Sequence, residues 1–175
     1  MAAIAATVPI EQGQITIPRD GADPGPTLDA ISYLMRYLYD YGTSAVGVVV
    51  ENEKGQVVLC RVPRYTSMTN QWSVPAGGVE KGEDVLESAR REVWEETGFE
   101  SFDHRLVYTY YPQQGSSNKL FQIVFCRAGE RTGNFDPNEI SEVGWFSRDE
   151  VEGIIARGEM QDGLGLTALL LWLRG

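Results

Sequence analysis

The stretch that most constrains this chain is Gly77–Phe99, GGVEKGEDVLESARREVWEETGF, a glycine-rich turn leading into an acidic helix. At about 100° per residue, Leu86, Ala89, Val93 and Thr97 share one face, and Glu92, Glu95 and Glu96 share its neighbour at spacing i, i+3, i+4. Carboxylates at that spacing crowd one another, which is unfavourable unless something positive stands between them. Mg²⁺ or Mn²⁺, hard cations that prefer oxygen donors, would meet that need. Arg91 lies beside this face, within reach of Glu87 and Glu95, where a planar guanidinium can fork onto a carboxylate. Gly77, Gly78 and Gly82 allow a sharp loop that brings carbonyl oxygens near such an ion, and Gly98 ends the helix. The bland alternative is a solvated acidic face, the usual reading of a Glu-rich helix.

Around this segment the pattern alternates between strand and helix signals. Ser44–Glu51 and Gln56–Val62 read as strands of a hairpin turning at Asn52–Gly55, and Trp72–Val74 as a short strand ending at Pro75. Further strands are expected at Phe102–Tyr111, Leu120–Arg127 and Val143–Phe146. Helices are expected over Glu83–Thr97, Arg148–Ala156 (capped by Ser147) and Gly163–Leu173. Trp94, off the carboxylate face, is expected in the core. The first residues, to Thr27, are rich in Pro, Gly and Asp and read as an irregular arm with a short strand near Gln14–Pro18. Leu28, Ile31, Leu34, Tyr37 and Leu38 then recur at helical spacing, predicting an amphipathic helix over Thr27–Tyr41. The division is an arm and helix over 1–43 and a catalytic domain over 44–175. Hairpin-like connections argue for an α+β fold rather than a doubly wound parallel sheet.

Composition excludes several classes. With 15 basic against 25 acidic residues, a net charge of -10 and a pI near 4.6, the chain repels a polyphosphate backbone, so nucleic-acid binding is not expected. A small anionic ligand remains compatible, because a bound divalent cation reverses the local field. Cys60 and Cys126 lie in apolar runs without a CxxC pair, and His104 is the single histidine, so a zinc site is poorly supported. Two reduced core thiols in a cytoplasmic protein are the expectation, although a disulfide between them stays open. The N-terminus lacks the basic start of a signal peptide, and no apolar run approaches a membrane span of about 18 residues.

The Gly77–Phe99 stretch resembles the Nudix box, G-x5-E-x7-R-E-U-x-E-E-x-G-U. Gly77, Glu83, Arg91, Glu92, Val93, Glu95, Glu96, Gly98 and Phe99 stand at its defined positions; relatives more often carry an aliphatic residue where Phe99 is. The surrounding order, from about Ser44 to the C-terminal helix, is similar to that family as well. The resemblance implies an α/β/α sandwich with a mixed β-sheet, here with an N-terminal arm and helix. It also implies Mg²⁺-assisted attack of water on a phosphorus of a nucleoside diphosphate joined to another group. Glu92, Glu95 and Glu96 carry over as metal ligands, with the carbonyl of Gly77. Glu83 carries over as a ligand or as the partner of Arg91, which orients rather than reacts. For the general base the resemblance points to a loop glutamate before Trp145, with Glu139 preferred to Glu142.

The box does not set the substrate. Tyr110-Tyr111-Pro112-Gln113-Gln114-Gly115-Ser116-Ser117 resembles the Tyr-Pro-x-x-Gly-x-Ser stretch of ADP-ribose and nucleotide-sugar pyrophosphatases, although Pro112 falls slightly closer to the box than usual. A plain turn is the competing reading. Tyr110, Tyr111 and Trp72 could stack on a base, and Arg61 and Arg64 could contact phosphates; packing and surface solvation are their bland alternatives. A nucleoside triphosphate pyrophosphohydrolase and a non-catalytic nucleotide-sensing module are the competing functions. The apolar faces of the Thr27–Tyr41 helix and of Leu169, Leu170, Leu171 and Leu173 need partners, so a homodimer is expected.

Overall fold

The computed structural model describes residues 44–64, 67–114 and 117–175, together with three short N-terminal strands. These are β1 (Val8–Ile10), β2 (Gly13–Thr16) and β3 (Leu38–Asp40), paired antiparallel in that order. The expected helix over Thr27–Tyr41 lies mostly outside the described residues. Its expected last turn is instead β3, where strand pairing overrides the helical spacing.

From residue 44 onward the chain is built on a seven-stranded mixed sheet. In chain order its strands are β4 (Ala45–Glu51), β5 (Val57–Arg64), β6 (Thr69–Ser73), β7 (Ala76–Gly78), β8 (Phe99–Tyr110), β9 (Phe121–Arg131) and β10 (Glu142–Phe146). The path runs β10-β5-β4-β9-β8, with β6 on β5 and β7 on β4. Only β4 and β9 run parallel, from Ala45↔Phe121 to Glu51↔Arg127. Central β4 is a near-continuous buried valine run, as a strand covered on both faces requires. Val46, Val48 and Val50 face one layer with Ala89 and Val93 of α1 (Val85–Thr97). Val49 faces the other, with Leu59, Ile123 and the apolar sides of α2 (Arg148–Ala156) and α3 (Gly163–Arg174). The result is the expected α/β/α sandwich.

From residue 44 onward the expected elements are all present, with β7 added and several ends shifted by one to four residues. The core takes up more of the C-terminal leucine run than its composition suggested: Leu169 is fully buried, and only Leu170, at 51% exposed, stands out. Trp94 is not a core residue. It is 45% exposed, and its indole N–H donates to Thr132 Oγ1 at 3.2 Å. Both cysteines are buried free thiols. No helix among the described residues is long and apolar enough to cross a membrane.

Candidate active site

Helix α1 is defined by its caps. Asp84 accepts from the Leu86 N–H at 2.8 Å, a contribution of about 1 kcal/mol. Gly98 closes the other end at φ 74, where a Cβ would stand 2.2 Å from the Gly133 carbonyl oxygen. Between these caps, Ala89, Val93 and Thr97 are fully buried and fix the helix's rotation. The glutamate face is thereby turned toward β7, which pairs with β4 through Val46↔Gly77.

Two carboxylates meet this strand. That of Glu92 lies directly over Gly77, where an added Cβ would be 2.1 Å from Oε1, so no side chain fits there. Glu96 accepts the Ala76 N–H at 3.0 Å, and the Cys60 thiol donates to the Glu96 carbonyl at 3.7 Å. Burial pushes the Glu96 carboxyl up to about 8, with the Glu92 and Glu139 charges adding to the shift and Arg64 opposing it. Glu92 is raised too, chiefly by burial.

Arg91 organises the other side. Its Nε and Nη2 fork onto Glu83 at 3.1 Å each, and Nη1 reaches Glu92 at 2.7 Å and Glu95 at 3.2 Å. Nη2 also donates to the Gly78 carbonyl at 3.0 Å. Glu83 further accepts the Glu80 N–H at 3.0 Å, and these bonds, Arg91 first, hold its carboxyl down near 2. Glu87, expected within reach of Arg91, pairs instead with Arg90, one position earlier, at 2.7 Å. Among the described residues no three acidic, His or Cys side chains are gathered as a finished metal site. Glu92 and Glu95 are collected on Arg91, whereas Glu96 stands apart on the β7 backbone. The donor chemistry nevertheless suits a hard cation. Buried carboxylates repelling one another, beside the Gly77 backbone, gain from a positive ion between them.

The loop glutamates separate by strand parity. Val143 and Trp145 pack on the α1 layer, so the alternate residue Glu142 points to the opposite face, where it pairs with Arg61 at 3.4 Å. Glu139, on the turn before Ile140, contributes to the potential at Glu96. The two arginines separate likewise. Cys60 reaches toward α1, and Arg64, in step with it on β5, also faces Glu96. Arg61 faces away, over the Trp72 ring at 5.4 Å, and the Phe146 ring packs edge-on at 4.7 Å. Trp72 is therefore already stacked.

Tyr111 and Pro112 sit on an exposed turn after β8; Gly115 and Ser116 lie outside the described residues. Tyr110 is tied to α3, through its hydroxyl, to the Gly163 carbonyl and Thr167 at 3.3 Å each. A feature absent from the sequence reading is a cleft of about 250 Å³ bounded by Arg64, Ser67, Gln71, Trp72, Ser73, Gln161 and Asp162, so that Trp72, stacked under Arg61, also lines it. Gln71 Oε1 accepts the Gln161 N–H at 3.0 Å, and Ser73 donates to Asp162 at 3.3 Å. These residues come from β6 and the α2–α3 loop, about ninety positions apart, and no local signal joins them.

Comparison with known proteins agrees with this architecture. The NUDIX domain model matches residues 42–164, more than half of the chain. Nudix hydrolase 19, chloroplastic, of Arabidopsis thaliana is 34% identical over 119 residues, 64% of this chain and 26% of that protein. CMP-5'-(N-acetyl-N-hydroxy-3-aminopropyl)phosphonate hydrolase of Streptomyces rubellomurinus is 28% identical over 127 residues, 70% of this chain and 62% of that protein. RNA pyrophosphohydrolase of Bartonella quintana is 46% identical over 61 residues, 32% of this chain and 35% of that protein. The chain thus spans less than two thirds of the length of each of these curated relatives. The crystal structure of an ADP compounds hydrolase superposes with a TM-score of 0.70 at 19% identity, covering 79% of this chain and 77% of that one. At that identity the likeness concerns the fold.

Proposed function

Because the chain belongs to the Nudix family, we propose that it hydrolyses the diphosphate bond of a nucleoside diphosphate joined to another group, ADP-ribose or a nucleotide sugar being the substrate class. The observation that carries this reading is the buried Glu96 carboxyl, held on the Ala76 N–H beside Glu92 and faced by both Arg64 and Glu139. Glu92, Glu95 and Glu96, with the Gly77 carbonyl, would hold Mg²⁺, or Mn²⁺ in its place. The ion supplies positive charge that polarises the phosphoryl oxygens and makes water easier to deprotonate.

The chain's own groups divide the remaining work. Arg91 keeps Glu92 and Glu95 oriented and is itself anchored by Glu83. Glu95, half-exposed, can leave Arg91 by a change of rotamer. Arg64 presents its guanidinium to the diphosphate, and the polar cleft beside it receives one of the two linked groups. Glu139 accepts the proton of the attacking water. Arg61 pairs with Glu142 and lies over Trp72, which itself lines the cleft, so these two charged residues serve the site indirectly. Tyr111 and Pro112 form part of the substrate's outer rim in this proposal. A cytoplasmic homodimer, with the domain proper beginning near residue 44, completes it.

Removal of an RNA 5'-terminal diphosphate is the second reading, favoured by the RNA pyrophosphohydrolase matches. Those matches cover about a third of the chain, and a net charge of -10 opposes a polyanion. A screen with Mg²⁺ over ADP-ribose, nucleotide sugars, diadenosine polyphosphates, NADH, nucleoside triphosphates and 5'-triphosphorylated RNA separates the readings. Turnover confined to triphosphates or RNA would overturn the substrate class, and no turnover of any compound would overturn the activity. Glu139→Gln is expected to lower kcat by about 100-fold, a typical loss for a general base, whereas Glu142→Gln leaves it within about threefold. The reverse order would reassign the base.

A further inference from the structure

Glu139 sits on a short surface turn, and what holds that turn is unusual in one respect. It is clasped at both ends by groups that contribute little to the core. At its start, Asp136 accepts the Asn138 backbone N–H at 2.9 Å on its side chain, and its carbonyl accepts from Glu139 N–H at 3.1 Å and Ile140 N–H at 2.9 Å. Ile140, 1% exposed, anchors the turn's floor. At its end Ser141 is bound to two strands at once. Its backbone N–H and its hydroxyl donate to the Arg61 carbonyl at 2.9 and 3.0 Å, and its Oγ accepts from Asn70 Nδ2 at 3.2 Å.

Asn70 and Ser141 are both exposed, and exposed hydrogen bonds of this kind contribute little to folding. Their value is geometric, because they fix the turn to β5 and β6 two residues from the Glu139 carboxylate. The strand they fix it to is the one that walls the polar cleft. Asn70 is next to Gln71, which holds the α2–α3 loop through Gln161.

We propose that Asn70 and Ser141 are positioning residues: together they fix the Glu139 turn to β5 and β6, so that its carboxylate stays where it can take the proton of the attacking water. This inference rests on the assignment of Glu139 as general base. A carboxylate displaced by about 1 Å from its working geometry can cost up to about 100-fold in rate, so a modest loosening is measurable.

The test is a double-mutant cycle on the full chain with ADP-ribose and Mg²⁺, or with whichever compound the screen shows to be turned over. Ser141→Ala and Asn70→Ala are each expected to lower kcat by about tenfold, with KM and Tm nearly unchanged. Ser141→Thr, which keeps the hydroxyl, should restore most of the rate. In the Glu139→Gln background Ser141→Ala should cost nothing further, since both changes remove the same function. Full additivity in that background would overturn the clasp while leaving Glu139 as the base. A Glu139→Gln variant of undiminished kcat would overturn the base assignment, and the clasp with it. Equal losses in kcat and Tm would show that Ser141 only supports the fold.

Discussion

Two carboxylates, Glu83 just ahead of α1 and Glu96 in its last turn, are treated in opposite ways. At the N-terminal end Glu83 accepts two bonds from Arg91 and one from the Glu80 backbone, and its carboxyl is held near 2. At the C-terminal end Glu96 is buried against β7, has one backbone N–H for a partner, and is pushed up to about 8. The first is an ion pair already complete within the chain. The second is a carboxylate whose compensating charge is not supplied by the protein alone. The difference separates two kinds of carboxylate: internal partners mark a structural one, and burial with few of them marks a candidate for an outside ligand.

Breaking the Glu96 end should give the largest effect. Glu96→Gln keeps an acceptor for the Ala76 N–H but loses the charge, so kcat/KM is expected to fall by about 100-fold or more while the metal-free Tm holds or rises. A variant with full activity would show that the buried carboxylate is not part of the chemistry. Breaking the Arg91 end should be milder for rate and harder on the fold. Arg91→Lys retains the charge but cannot fork onto Glu83 and still reach Glu92 and Glu95. Its expected signature is a loss of about tenfold in kcat/KM together with a lower Tm, read by steady-state kinetics and thermal melting. Unchanged stability would mean that the ion pair is ornamental.

The smallest effect is a pH dependence with two opposite slopes. Glu96 is raised toward about 8 in the fold, so its contribution to metal-free stability is present below the ordinary carboxylate value of 4.5 and is lost as pH rises toward 8. Glu83 is lowered toward 2, so its contribution is present above 4.5 and is lost as pH falls toward 2. Under the proposed function Mg²⁺ binds the ionised carboxylates, so the rise in Tm it causes should be larger at pH 8 than at pH 5. An equal rise at both would break the contrast between the two ends.

Much of this was legible in the residues. The apolar run of β4, the Gly98 stop and the buried stripe of Ala89, Val93 and Thr97 each follow from local rules of periodicity and capping, whereas the helix expected from Glu83 begins only at Val85, where Asp84 caps it. Arg91 among its glutamates followed from helical spacing, although the same rule wrongly offered it Glu87. Spacing says which side chains are in reach, and competition among partners decides which pair; Arg90 stood nearer. Trp94 was misread because the apolar layer under α1 is narrower than its amphipathic pattern suggests, leaving one edge of the indole to Thr132 and the solvent.

By itself, then, the sequence determined the helix, its Gly98 stop, the carboxylate set and the glycine-rich turn before it, all of them within one continuous stretch where spacing and chirality leave little choice. Only the tertiary structure set Arg61 and Glu142 on one face of the sheet, turned Arg64 toward Glu96 on the other, and brought together the residues that wall the polar cleft. Each of those choices depends on which face of a strand a residue occupies once β5 is paired with β6 and β10. A shift of one residue in that pairing would send every side chain to the other face, and the register is set by burial across the whole sheet rather than by any local run of residues.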